Sequence, residues 1–254
     1  VMSIRSQIMH DVNYSTYTLA WPTDYGTFGF GYVEATVENI LIGDWVNGVA
    51  TVVGNASYAN NVGMISYSKL LWKDLSLGLS LKQFSQYYAD LGVKDSGSRG
   101  NNIDVGMLYK LGKNWSFGML YQNMSTAPSL QGDNGYVEAI ESYYKLGVAY
   151  QYKKLPNYID INRVNYTFDA DVPVAQSYKA TAYHVGAELW FADVLAFRLG
   201  AGTREAQVAG GIKQLVEPGV GLGLNLWGVQ VDYTYFPGVL DLDDRMQKFF
   251  LSLS

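Results

Sequence analysis

Two oppositely charged residues, Glu188 and Arg198, lie ten positions apart on either side of a short connection at residues 192–194. If two antiparallel strands are joined by such a turn, both side chains fall on the same face and directly opposite each other. A carboxylate and a guanidinium at that separation form charge-assisted hydrogen bonds. We predict a structural ion pair that braces two strands, and we favour this interpretation over a ligand-binding site.

Catalytic and metal-binding chemistry has few candidate residues. The chain has no cysteine and two histidines, His10 and His184, which excludes disulfides, thiolate nucleophiles and cysteine-ligated zinc. His184 shares a strand face with Glu188, but no spacing places a serine nucleophile beside it. The acidic run at residues 241–244 lacks the glycine and the terminal glutamate of an EF-hand loop. The sequence therefore predicts a protein that is not an enzyme and that has no cofactor and no metal site.

The charged residues belong to segments in which apolar and polar residues alternate. In residues 229–235, for example, every second side chain is Val or Tyr and those between are Gln, Asp and Thr. A period of two predicts β-strands with one apolar and one polar face. We predict fourteen strands, at residues 1–10, 12–21, 27–37, 60–71, 74–87, 101–111, 114–124, 141–152, 163–173, 181–192, 194–202, 219–226, 228–236 and 245–254. Besides the ion pair, the polar face is expected to carry Asp104, Asp169, Asp171, His184 and Asp232.

Composition excludes several classes of protein. Of 254 residues, 48% are hydrophobic and 16% are charged, compared with about 25% charged in an ordinary soluble domain. The formal net charge of −5 argues against a nucleic-acid partner, which requires a basic surface. No segment has the roughly 20 consecutive apolar residues of a membrane-spanning helix.

The connections between the predicted strands alternate in length. Those at residues 22–26, 72–74, 112–114, 192–193 and 227–228 are short, whereas those at 38–59, 88–100, 125–140, 203–218 and 237–244 are long. Short turns at one end and long loops at the other are typical of outer-membrane β-barrels, in which the short turns are periplasmic. Strands of about ten residues also have the length that crosses a bilayer when tilted.

Five of the six tryptophans lie next to the short connections. Because indole prefers the level of the lipid headgroups, we predict a periplasmic aromatic belt of Trp21, Trp72, Trp115, Trp190 and Trp227. Together with the connection lengths, the belt favours a 14-stranded antiparallel transmembrane β-barrel over a soluble β-sandwich. The apolar face would contact lipid and the polar face would line the lumen. We expect residues 1–254 to form one such domain in a bacterial outer membrane.

Three stretches, in order along the chain, match the pattern of a known family. They include Gly26-Thr27-Phe28-Gly29-Phe30-Gly31 after the first strands, the hairpin from His184-Val185-Gly186-Ala187-Glu188 to Leu195-Ala196-Phe197-Arg198-Leu199-Gly200, and Gly221-Leu222-Gly223 through Val231-Asp232-Tyr233-Thr234-Tyr235. As an ordered set they resemble the FadL-type superfamily of outer-membrane barrels, most closely its PorV/PorQ-like branch. The resemblance implies a fourteen-stranded outer-membrane barrel.

The resemblance also implies two functions. PorV-like proteins bind protein partners in secretion or cell-surface assembly, whereas FadL-like proteins are channels for long-chain fatty acids or other hydrophobic solutes. The N-terminal hatch of the family, with its Asn-Pro-Ala pattern, is not found in residues 1–254, so we favour the PorV-like function. The partner would contact loops at residues 38–59, 88–100 and 125–140. A channel with a hydrophobic ligand and a structural barrel in a larger envelope complex are the alternatives, and outer-membrane lipid is a partner in every case.

Overall fold

A computed structural model describes residues 1–8, 12–46, 48–90, 93–124, 129–132, 137–153, 161–174, 179–208, 211–236 and 246–253. Within these residues the chain forms sixteen strands: β1 Met2–Ile8, β2 Val12–Thr23, β3 Gly26–Val46, β4 Val49–Trp72, β5 Leu75–Asp90, β6 Val93–Leu111, β7 Trp115–Gln122, β8 Ser129–Gly132, β9 Val137–Ala139, β10 Tyr143–Lys153, β11 Ile161–Pro173, β12 Ala182–Phe191, β13 Leu195–Val208, β14 Gly211–Leu226, β15 Val229–Phe236 and β16 Met246–Leu253. The described residues contain no helix that is long and apolar enough to cross a membrane.

All sixteen strands belong to one antiparallel sheet. The two shortest, β8 and β9, form a hairpin that pairs with the β6 residues Ser98 and Arg99. The other fourteen each pair with a strand on both sides, mostly with their neighbours along the chain. β7 pairs with β10, β5 pairs with β6, and β1 pairs with β16 over six residue pairs. The predicted all-β antiparallel architecture is confirmed.

The two faces of the sheet differ in polarity. Large apolar side chains project from one face into open space; Leu77, Leu79 and Leu81, for example, are 41–55% exposed. We call this the apolar face, and we call the opposite face, which carries the ion pairs described below, the polar face. Among the described residues, only four hydrophobic side chains are buried: Ala56, Val164, Trp190 and Ala196. A β-sandwich would instead bury two apolar faces against each other.

The first predicted long loop is wrong, because most of residues 38–59 are strand. β3 continues to Val46 and β4 begins at Val49, and these two residues pair with each other. The sequence between them is Asn47-Gly48, and Gly48 has a φ of 78°. Asn-Gly is typical of two-residue hairpin turns, which need positive φ values. The Asn47-Gly48 dipeptide is therefore the feature of the sequence that indicates a hairpin at this position.

Two further predicted loops are also largely strand. At residues 88–100, β5 extends to Asp90 and β6 begins at Val93. At residues 203–218, β13 extends to Val208 and β14 begins at Gly211. In these segments apolar and polar residues no longer alternate regularly, so the period-two pattern fades while the backbone pairing continues. Residues 125–140 contain β8 and β9. The predicted connection at 237–244, residues 154–160 and His10 lie outside the described residues.

Candidate functional site

A chain of hydrogen-bonded side chains crosses the polar face from β10 to β13. Gln151 donates from Nε2 to Asn165 Oδ1 at 2.9 Å, and Asn165 donates from Nδ2 to Glu188 Oε1 at 2.6 Å. Arg198 donates from Nε to the other oxygen, Glu188 Oε2, at 2.7 Å. The structure thus places Glu188 and Arg198 directly opposite each other in register, and both Glu188 oxygens have a donor.

Arg198 extends the network past a whole strand. Its Nη1 lies 2.5 Å from Oδ1 of Asp232 on β15, and Gln230 donates to the other Asp232 oxygen at 2.7 Å. β14 lies between β13 and β15, and where Arg198 crosses it the residues are Gly221 and Gly223. A Cβ added to Gly223 would lie 2.8 Å from Arg198 Nη1 and 2.5 Å from Asp232 Oδ1. The ion pair therefore requires that position 223 has no side chain.

Trp190 belongs to this network and not to an exposed belt, so its assignment to the belt was wrong. It is 3% exposed, and its ring lies 4.5 Å from the Arg163 guanidinium and 5.7 Å from that of Arg198. Two residues after Glu188 on the same strand, it shares the polar face. Its nearness to a turn favours the belt, but its phase along β12 places it on the polar face.

The other four tryptophans are exposed: Trp21 (61%), Trp72 (71%), Trp115 (45%) and Trp227 (97%). Each lies at or beside a short turn, at the same end of the sheet. Their membership of a membrane-facing belt stays a prediction.

A second cluster on the polar face lies on β10, β11 and β12. Lys145 Nζ is 2.6 Å from Asp171 Oδ2. Asp169 lies two residues before Asp171, opposite His184 in register. These three predicted polar-face residues are therefore neighbours of one another.

A third cluster contains Asp104 and a partner that sequence analysis missed, Asn123. Lys82 Nζ lies 2.6 Å from Asp104 Oδ1 and donates to Asn123 Oδ1, also at 2.6 Å. The Asn123 backbone N–H donates to Asp104, and its Nδ2 donates to the carbonyl of Glu141. Asn123 has a φ of 59°, a conformation that Asn tolerates better than most residues. The predicted strand at 114–124 includes Asn123, whereas β7 ends at Gln122, so the period-two pattern gives no signal for the contacts of Asn123.

Among the cavities along the polar face, two border the clusters described above. One, of about 890 Å³, is bordered by Gly78, Gly106, Gly118 and Gly147 and by the second cluster. The other, of about 700 Å³, lies at the short-turn end and is bordered by Lys110, Lys113, Lys153, Glu188 and Arg198. Glycines therefore leave open space beside the wall, in addition to allowing Arg198 to cross β14. The described residues contain no group of three His, Asp or Glu side chains that could hold a metal ion.

The chain is an all-β protein, and its two-faced antiparallel sheet is similar to the sheets of β-barrel channels. No protein-family model and no curated protein matches the sequence. Among solved structures, the chain is similar to the CymD monoaromatic hydrocarbon channel, with a TM-score of 0.62 and 11% identity over 98% of this chain and 85% of that one. It is similar to the Pseudomonas putida toluene transporter TodX, with a TM-score of 0.61, 11% identity and coverages of 98% and 86%.

Two further structures extend the comparison. A Pseudomonas aeruginosa FadL homologue has a TM-score of 0.53 and 10% identity, with 98% of this chain and 87% of that chain covered. CdiB from Acinetobacter baumannii has a TM-score of 0.56 and 10% identity, and this chain spans 59% of its length. At these identities the likeness establishes the fold.

Proposed function

We propose that the chain is an outer-membrane β-barrel that conducts hydrophobic solutes. The observation that carries the proposal is the likeness over almost the whole chain to a toluene transporter and a monoaromatic hydrocarbon channel. This is the alternative that sequence analysis ranked below a PorV-like role. No finding supports the PorV-like role, and the segments 38–59 and 88–100, expected to bind a protein partner as loops, are largely strand.

The pairing pattern supports insertion in a membrane. The β1–β16 and β5–β6 pairings would close the fourteen long strands into one barrel. Closure leaves no unpaired strand edge, which is what a bilayer requires of a β-protein. The exposed side chains of the apolar face would contact acyl chains, because so large an apolar surface is not stable in water.

The polar face would then line the lumen of one domain spanning residues 1–254. Within it, the network of Glu188, Arg198 and Asp232 would brace the wall, because each charge already has a partner. The cavity bordered by glycines gives a solute room beside that wall.

A pair of tryptophan substitutions tests conduction. A Cβ added to Gly118 meets no atom within 4 Å, and Gly118 borders the larger cavity, so Gly118→Trp would fill the path. Gly63 also has open space around it, but it is in phase with Ile65 on the apolar face, so Gly63→Trp is the matched control. We expect uptake of radiolabelled toluene by cells expressing the protein to fall severalfold with Gly118→Trp and to be unchanged with Gly63→Trp.

Assembly is checked by the faster electrophoretic migration of the unheated barrel. If cells with the unmodified protein take up toluene and oleate no faster than cells without it, the proposal is wrong. Equal uptake by the two tryptophan variants would show that the solute does not pass along this cavity.

A further inference from the structure

The smaller cavity, at the short-turn end of the polar face, is bordered by lysines from three elements. Lys110 lies near the end of β6, Lys113 lies in the turn before β7, and Lys153 ends β10. The turn is held against β10, because Asn114 Nδ2 donates to the Gln151 carbonyl at 2.6 Å and the Gln151 N–H donates to the Asn114 carbonyl at 2.8 Å. The lysines of separate elements thus share one cavity wall.

The cavity has little negative charge to balance these lysines. Among the described residues, the one carboxylate that borders it is that of Glu188, and both Glu188 oxygens already accept hydrogen bonds, from Arg198 and Asn165. Two lysines elsewhere on the polar face are paired, Lys82 with Asp104 and Lys145 with Asp171. No carboxylate of the described residues forms an ion pair with any of the three cavity lysines.

Another cation, Arg163, lies beside the cavity. Arg163 is directly opposite Lys153 in register, and like charges in that position repel. Arg163 stacks on Trp190, and its Nε is buried without a hydrogen-bond partner among the described residues. In a chain with a net charge of −5, this local excess of positive charge would be relieved by a bound anion.

We propose that this cavity binds a compact organic anion, whose carboxylate or phosphate group contacts Lys110, Lys113 and Lys153. A volume of about 700 Å³ falls within the usual range of small-molecule sites. Small residues on the wall, Ala149, Thr167 and Gly186, leave room for the body of the ligand. The site is distinct from conduction of neutral solutes, since it requires the charge of the ligand.

Binding is measured by calorimetry on the full chain in an uncharged maltoside detergent. The probes are 2-naphthoate, 2-naphthyl phosphate and the neutral 2-methylnaphthalene. We expect both anions to bind more tightly than the neutral probe, and less tightly as ionic strength rises, because salt screens exposed charges. If 2-naphthyl phosphate binds more tightly than 2-naphthoate, phosphate esters are the ligand class. If 2-naphthoate binds more tightly, carboxylates are the ligand class.

Two double variants locate the site. Lys110→Gln with Lys153→Gln removes two cavity charges, and we expect the Kd of 2-naphthoate to rise about tenfold or more, as for lost charge-assisted hydrogen bonds. Lys69→Gln with Lys73→Gln removes two charges near the same end that do not border the cavity, and we expect a Kd within about twofold of the unmodified protein. Folding of each variant is checked by its heat-dependent migration.

The proposal is overturned if the neutral probe binds as tightly as the anions, or if the two double variants have the same affinity for 2-naphthoate. These outcomes are independent of toluene uptake. Toluene uptake without anion binding removes this site alone, whereas anion binding without faster uptake of toluene or oleate removes the conduction proposal alone.

Discussion

Replacing Gly223 with alanine tests whether the glycine exists to let Arg198 reach Asp232. The new Cβ would lie 2.5 Å from Asp232 Oδ1, 2.8 Å from Arg198 Nη1 and 3.1 Å from the Ala196 Cβ. Carbon atoms do not approach polar atoms so closely, so the two charged groups have to separate. Alanine therefore breaks the ion pair without removing either charge.

The size of the effect follows from two opposing contributions. A hydrogen bond between charged groups contributes about 1.5–3 kcal/mol, and this pair is partly exposed, 25% for the Arg198 side chain and 14% for Asp232, so the lower part of that range applies. Replacing glycine with alanine inside a strand by itself stabilises by roughly 0.5–1 kcal/mol. We expect Gly223→Ala to lower the free energy of unfolding by about 1 kcal/mol.

The assay is urea unfolding of the protein in phospholipid vesicles, followed by tryptophan fluorescence. Gly118→Ala is the matched control, because its Cβ meets nothing within 4 Å; it should be neutral or stabilising. In an Asp232→Asn background, Gly223→Ala should cost less than in the unmodified protein. The reasoning is refuted if Gly223→Ala is as stable as Gly118→Ala, because the ion pair would then not depend on the missing side chain.

Three further predictions concern the polar network and the tryptophans. Glu188→Ala leaves Arg198 Nε and the Asn165 amide without their acceptor, and should lower the free energy of unfolding by about 2 kcal/mol in the same urea assay. An unchanged midpoint would contradict a bracing role. Lys82→Met leaves Asp104 without its cation at a site where the lysine side chain is 5% exposed, and should lower the free energy of unfolding by about 3 kcal/mol. Adding Asp104→Leu should regain part of that loss, and purely additive effects of the two substitutions would count against coupling. In variants that keep a single tryptophan, brominated lipid should quench Trp72 and leave Trp190 bright, and the opposite order would place the apolar face away from lipid.

Much of the fold can be read from local sequence. Alternation with a period of two depends only on neighbouring residues, and it locates the strands and assigns their faces. The Glu188–Arg198 contact was accessible for the same reason, because a short turn fixes the register of the two strands it joins. The position of Trp190 on the polar face follows from the same alternation, although its nearness to a turn favoured the exposed belt.

The ends of the long hairpins were harder to predict. Apolar and polar side chains no longer alternate regularly in residues 38–59, 88–100 and 203–218, so the sequence predicts loops there. Backbone hydrogen bonds continue there without any need for a hydrophobic face. The Asn47-Gly48 dipeptide was a local signal of this continuation, and the other two hairpins have no equally strong one.

The tertiary structure alone decided which distant residues meet. Lys82 and Asn123 are 41 positions apart, Arg198 reaches Asp232 across an intervening strand, and β1 pairs with β16 from opposite ends of the chain. Such contacts depend on the order and stagger of many strands together, and no local sequence pattern determines that arrangement. The cavity bordered by Lys110, Lys113 and Lys153 arises in the same way. Lys153 is far from the other two lysines in the sequence, and the three create a common positive potential only because the sheet brings them to one cavity wall.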